Sequence, residues 1–314
     1  MPKSACVLAI LAVSSGAAAR GADAPGPFFT LKPLGANVFA AIDVPKSGGG
    51  ANAGFVVGDD GVLVVDTFES ADAAKQLLAE IQKVTKLPVK YVVNTHYHLD
   101  HVAGNGVFAS QGAVILGHRN IPGWIHTQNL KFFGKDIKPE QKAFVEGLVA
   151  PEVTYADGVV VHLGSRIIEV RSHPGHTGGD SVVTIPDAKV TFGGDLFWCA
   201  TLPNLIDAST EPWIATLSAL ETSFPENTFV PGHGDVGKIA DVRAFRGYLT
   251  DLRGFVQAAQ AQGKSGDALL EAVLASSKAK YGTWQFFDYF SKKNVTDTDA
   301  ELRGTKTVPK APGD

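Results

Sequence analysis

Apolar residues along this chain recur in two rhythms, and each rhythm predicts a type of element. Continuous or alternating runs at residues 37–43, 53–67 and 88–95 read as strands, the second folded back on itself at Asp59, Asp60 and Gly61. Between them Ser70 is placed to cap a helix whose Ala74, Leu77, Leu78, Ile81 and Val84 share one face and which stops near Pro88. A second series of short strands, at 159–164, 166–172, 181–186, 189–195 and 227–234, is separated by Gly, Asp or Pro turns. Helical spacing returns at 239–256, where Val242, Phe245, Tyr248, Leu252 and Phe255 align, and at 267–277. Strands inside and helices outside, in two halves, predict an α/β protein with two sheets packed face to face and helices covering both.

One apolar run behaves differently. Residues 5–13 follow Lys3 and precede the small residues of "SSGAAAR", the pattern of a secretory leader over residues 1–24, with cleavage after Ala19 or Ala24. The run is too short to span a bilayer, and no later stretch is long or apolar enough to do so. A secreted or periplasmic location is therefore expected, with no membrane partner after cleavage. Loss of the leader removes Cys6 and leaves Cys199 alone, so no intramolecular disulfide is available. Residues 25–302 are expected to form one domain that includes the C-terminal helices, and the polar, Pro-containing residues 303–314 a disordered tail. With 45% hydrophobic residues in 314, a full core is available; with only 19% charged and a net charge of -4, no general attraction for nucleic acid or acidic membranes exists. The expected partner is a small molecule.

The candidate chemistry sits at strand ends. "NTHYHLDH" places His96, His98, Asp100 and His101 just past one apolar strand; His176 lies in "SHPGHTGGDS", Asp195 ends "VTFGGD", and His233 ends "FVPGHG". Imidazole and carboxylate suit a zinc-like divalent ion, and seven such residues are enough for two ions with one residue shared. The neighbouring glycines let the chain turn sharply beside these side chains. His118, His126, His162 and His173 fall outside the pattern and read as structural or surface residues.

In this order, "HYHLDH", "GHTGGD", "GGD" and "PGHG" resemble the metallo-β-lactamase superfamily over most of the chain, roughly residues 37–235. The resemblance implies a four-layer αβ/βα sandwich with the metals in a cleft at one edge of the sheets. Carried over residue by residue, it implies that His96, His98 and His176 hold one metal, that Asp100, His101 and His233 hold the other, and that Asp195 bridges them. The implied cofactor is two Zn2+, with Fe or Mn compatible with the same ligands. The implied activity is hydrolysis of a carbonyl substrate (β-lactam, lactone, ester or thioester) by a hydroxide between the ions, with Asp100 accepting its hydrogen bond. Aspartate at 195 points away from a dedicated lactamase and toward the glyoxalase II and lactonase pattern. Two other readings fit the ligands: a non-catalytic metal-binding accessory protein of a periplasmic redox system, and an iron-dependent oxygenase of the same fold.

Beyond the ligands, Asp66 is expected either to orient a ligand histidine or to cap a turn before Ser70. Residues 46–53 read as a flexible glycine-rich flap. Residues 120–150, with Ile121, Trp124, Ile125, Phe132, Phe133 and Phe144, read as an apolar lid or as ordinary packing. Trp198 and Asn204 are expected to face the cleft, and Cys199 to be a core thiol.

Overall fold

The structure, a computed structural model, describes residues 26–311. The expected leader lies outside these residues.

Seven strands form the first sheet: β1 (Phe29–Gly35), β2 (Val38–Asp43), β3 (Ala53–Val57), β4 (Val62–Val65), β5 (Val89–Val93), β6 (Val114–His118) and β7 (Val153–Tyr155), in that spatial order. The first four make an antiparallel meander, and β4 to β7 run parallel. The second sheet holds β8 (Gly158–Leu163), β9 (Arg166–Ser172), β10 (Ser181–Ile185), β11 (Val190–Trp198) and β12 (Thr228–His233), with β12 parallel to β11 and the rest antiparallel.

The strand β4 shows why a run reading "VLVV" belongs inside. Its Leu63 and Val65 face β8–β12 with Val161, Ile168, Val170, Phe192 and Val230, whereas Val62 and Val64 face the helices. All four are buried, as a strand covered on both sides requires. The outer face of the first sheet is covered by α1 (Ala71–Val84), through Ala74, Leu77 and Ile81, with the short α2 (Leu99–Val102) and α3 (Asn105–Ala109) beside it. Ser70 caps α1 by accepting from the Ala73 amide at 3.2 Å. Val84, counted on the buried face from spacing, is 42% exposed in the last turn.

Two short helices follow in the insertion, α4 (Ile121–Trp124) and α5 (Pro139–Glu146), and four cover the second sheet: α6 (Thr210–Ser223), α7 (Ile239–Ala261), α8 (Gly266–Tyr281) and α9 (Phe287–Leu302). Trp213, Leu217, Val242, Phe245, Leu252 and Val273 pack these helices on Leu196 and Phe229 of the sheet. The four-layer sandwich is thus the observed fold.

Two expectations are corrected. The tail was expected to be disordered, yet through residue 311 it is docked: Lys306 Nζ donates to the carbonyls of Leu205 and Ala208 at 2.7 and 2.5 Å, and the Trp124 indole donates to Lys310 at 2.9 Å. A nearly buried ammonium and a partly buried indole need acceptors, and the loop and tail carbonyls provide them. The glycine-rich flap is also tied down. Its Asn52 side chain donates to the carbonyls of Pro231 and Gly234 at 2.9 and 2.8 Å and accepts from the Asp43 amide at 2.9 Å.

Candidate metal centre

The ends of β5, β9, β11 and β12 reach one edge of the sandwich, and the seven predicted residues meet there in two groups. His96, His98, His176 and Asp195 form one, and Asp100, His101 and His233 the other, with candidate ligand atoms within each group no more than 4.8 Å apart. Asp195 divides its oxygens between them. Oδ2 lies 3.1 Å from His176 Nε2 and 3.7 Å from His96 Nε2, while Oδ1 lies 3.1 Å from His101 Nε2 and 3.5 Å from His233 Nε2.

These contacts are not hydrogen bonds. His96 Nε2, His101 Nε2 and Asp195 Oδ1 are buried and have no hydrogen-bond partner among the described residues, although they face one another. Buried polar atoms are rarely left so. Lone pairs converging without donors are what a cation needs, and the nitrogen and oxygen donor set suits zinc and other divalent transition metals. The residues therefore fit the implied metal.

The chain also sets the ring orientations. Asp66 directly follows β4 with φ 56 and accepts from His101 Nδ1 at 2.8 Å, the Thr95 amide at 2.8 Å and the Thr95 hydroxyl at 2.7 Å. Because that hydroxyl donates to Asp66, it accepts from His96 Nδ1 at 3.1 Å. One carboxylate thus fixes a tautomer in each group, leaving both Nε2 atoms free to ligate. This is the orienting role expected as one of two readings for Asp66.

His98 uses its other nitrogen. Its Nε2 donates to Asp207 Oδ2 at 3.1 Å, so the Nδ1 lone pair points to the group, 3.0 Å from His176 Nε2. The Tyr97 hydroxyl and the Lys131 ammonium donate to the same Asp207 oxygen. Sequence reading missed Asp207, Tyr97 and Lys131. The signal was a lone acidic residue in the apolar stretch "LPNLIDAS".

Carboxylates crowded at the centre favour positive charge beside them. Burial would raise Asp100, but His101 and His233 outweigh it and hold the carboxyl at about 2. Burial would lower His233, yet Asp195 and Asp100 push it up to about 9. Burial first, then the neighbouring His101, His98 and His176, keep His96 well below the usual range against the pull of Asp195, as a neutral ligand requires. Close approach, rather than a turn, explains one glycine: a Cβ on Gly232 would fall 1.9 Å from Asp195 Oδ1.

A cleft of about 380 Å³ opens over the centre, lined by Asp100, Asp195 and His233 with Gly50, Phe132, Trp198 and Asn204. Trp198 and Asn204 thus stand where expected. Trp198 stacks on His233 with ring centres 4.0 Å apart. Of the insertion only Phe132 reaches the cleft; Ile121, Trp124 and Ile125 are core, and Phe144 is 42% exposed. A larger cavity of about 470 Å³ lies at Asp59, Ser165, Arg166 and Asp187, where Arg166 pairs with Asp187 and the Ser165 hydroxyl donates to Asp59, and it holds none of the seven residues. His118, His126, His162 and His173 join neither group. Cys199 is half-buried against the α6–α9 core rather than fully inside.

A family model described as the Metallo-beta-lactamase superfamily matches residues 47–233, more than half of the chain and all seven residues above. The chain belongs to the metallo-β-lactamase superfamily. Similar curated proteins include a linear primary-alkylsulfatase from a Pseudomonas species, 26% identical over 56% of this chain and 40% of the relative. A hydroxyacylglutathione hydrolase from Mesorhizobium japonicum is 28% identical over 54% of this chain and 56% of the relative. A metallo-beta-lactamase type 2 from Bacteroides fragilis is 24% identical over 58% and 71%. The chain spans about half the length of the first two relatives. Among solved structures, a metallo-beta-lactamase from Pontibacter korlensis has a TM-score of 0.56 at 23% identity, covering 71% of this chain and 99% of that one. The DIM-1 metallo-beta-lactamase reaches 0.58 at 21%, covering 72% and 98%. These likenesses establish the fold. Together, membership and the ligand cluster give this chain a His/Asp site suited to metal binding.

Proposed function

We propose that this chain is an exported, dinuclear zinc hydrolase that uses water to open a carbonyl substrate: an ester, lactone, thioester or β-lactam. The observation that carries the reading is Asp195, whose two oxygens face two separate sets of nitrogen ligands. Relatives named as a hydroxyacylglutathione hydrolase and as a metallo-beta-lactamase support the carbonyl class. Export rests on the leader-like residues 1–24.

His96, His98 and His176 would hold one ion, Asp100, His101 and His233 the other, and Asp195 both. When bound, such a pair supplies Lewis acidity that makes water nucleophilic near neutral pH and polarises the carbonyl. Asp100, the most exposed of the seven at 29%, keeps an ionised oxygen toward the cleft and accepts a hydrogen bond from the attacking water. The balance is simple: water's hydroxyl bonds to the acyl carbon, the bond from that carbon to its heteroatom breaks, and water's other proton goes to the departing heteroatom. Asp66 and Asp207 keep three imidazoles in the required tautomers. Phe132 and Trp198 keep bulk water from the reacting face.

The test is metal analysis of the purified chain together with turnover of a chromogenic cephalosporin, an acyl thioester, an aryl ester and a lactone. Two zinc ions per chain with hydrolysis of at least one compound is the expected result. Two ions with no turnover of any would sink the hydrolase reading in favour of a metal-binding accessory protein, and one iron with oxygen uptake would favour the oxygenase.

A further inference from the structure

The cleft has a wall that ligand geometry does not require. Phe286, Tyr289 and Phe290 line it together with Trp198 and the ligands Asp100 and His233. The three new rings come from the start of α9, beyond residue 233 where the family match ends. They form a continuous path. Trp198 lies on His233, Phe290 meets Trp198 edge-on at 6.2 Å, and Tyr289 and Phe286 lie 4.6 and 5.8 Å from Phe290.

Two features single out the outer end of this path. Phe286 and Tyr289 are 48% and 46% exposed, large apolar rings left in water at a cleft mouth. Phe286 also has φ 58, a left-handed conformation that a bulky residue adopts only under constraint. The constraint is visible: Leu202 donates to the Gln285 carbonyl and Gln285 to that of Ala200, at 2.9 and 3.0 Å, pinning the turn before α9 to the loop after β11. Strain held in place at a site is a pointer to function. Among the described residues lining the cleft none is Lys or Arg, and its side-chain charge beyond the metal-binding residues is the acidic Glu69. An anionic arm finds no partner there.

We propose that Phe286, Tyr289, Phe290 and Trp198 form a subsite for an uncharged hydrocarbon arm, so that the substrate is an acyl ester or lactone with an apolar chain. The carbonyl lies at the ligand end and the chain runs outward along the rings. This rests on the hydrolase reading above.

The experiment compares kcat/KM of the zinc-loaded chain for 4-nitrophenyl esters from acetate to octanoate. It adds the half ester of suberic acid, whose arm has the octanoyl length but ends in a carboxylate. Full burial is worth about fourfold per methylene, and a chain lying against one wall about half of that free energy, so a rise of about twofold per methylene is expected. The carboxylate-ended arm should be at least about tenfold poorer than octanoate, since a buried charge without a partner is costly. Phe286→Gly, which accepts φ 58 without strain, and Tyr289→Ser should each flatten the chain-length series. Calorimetric binding of 2-decanone, a carbonyl compound with no bond to hydrolyse, should weaken in the same variants. A flat series in an active wild type, or preference for the carboxylate arm, would overturn the subsite. Ring-dependent binding of 2-decanone with no ester cleaved would support the subsite and defeat the hydrolase reading. Absence of both would defeat both.

Discussion

Replacing Asp207 by Ala should separate two jobs done by one oxygen. Asp207 Oδ2 accepts from His98 Nε2 at 3.1 Å and from the Tyr97 hydroxyl and the Lys131 ammonium. Its side chain is 4% exposed and that of Lys131 25%, so the pair lies in a poorly screened place. Removing the carboxylate strands an ammonium that is mostly out of water, at a cost near the lower end of the roughly 3–5 kcal/mol for breaking a buried pair. The orphaned Tyr97 hydroxyl adds about 1 kcal/mol. A melting temperature lower by about 10 °C follows for a domain of this size.

The second job is the His98 tautomer. Without an acceptor at Nε2, the ring is no longer held with Nδ1 toward His176, and affinity at that group should fall about 10–100-fold, measured by competition with a chelator. The double variant Asp207→Ala/Lys131→Met removes the stranded charge and should recover most of the stability but not the affinity. Recovery of both would refute the orienting role, as would single-variant affinity within about twofold of wild type. The pH dependence has a defined sign. Burial opposes ionisation of Asp207, but His98 and Lys131 outweigh it and hold the carboxyl well below its usual range. A depressed acid contributes its stability fully above the unfolded value of about 3.9 and loses it as pH falls through the folded one, so the gap to Asp207→Ala should persist to below about pH 4.

Asp100→Asn should fold and retain the His96 group while kcat falls about 10²–10³-fold, and steady-state kinetics with metal analysis read both; full activity would refute its role. Lys306→Met removes the donor to the carbonyls of Leu205 and Ala208 on either side of Asp207. It should cost about 2 kcal/mol in thermal or denaturant unfolding and lower chelator-competed zinc affinity by less than Asp207→Ala does. Burial first, then Asp241 and Asp235, push the Cys199 thiol up to about 11. Its alkylation by iodoacetamide at pH 8 should be about a hundredfold slower than that of an ordinary cysteine and rise about tenfold per pH unit; a normal rate would contradict its half-buried placement.

The strands were the most legible part of the fold, because a run such as "VLVV" must have cover on both sides whatever its partners are. By contrast β1 carries Lys32 and Pro33 at a sheet edge and gives no clean alternation. Helix α9 buries Asn294, Asp297 and Thr298, so its apolar spacing is broken by polar residues; the Asn294 amide donates to the Tyr248 hydroxyl and the Pro203 carbonyl, each at 2.9 Å, whereas Thr298 Oγ1 has no partner among the described residues. In the site, four of the seven ligand-type residues fall within a six-residue stretch and are visible as a motif. Their division between two ions came from the resemblance, and Asp195 is the residue whose geometry gives it physical sense. Asp207, for all its signal as a lone acid in an apolar stretch, and Lys131 and Lys306 were missed because each gains its meaning from partners far away in the chain. The docked tail was missed for the same reason.

The two groups of ligands draw on both sheets. His96, His98, Asp100 and His101 follow β5 of the first, while His176 follows β9, Asp195 lies within β11 and His233 ends β12 of the second. Ions at this edge would therefore act as a clasp across the open side of a book, with Val, Leu and Ile side chains as its glued spine. Losing the clasp would leave the spine bound and let the pages part at one margin only. The reaction chemistry and the mechanical closure of the sandwich would then share the same atoms, so neither could be altered without the other.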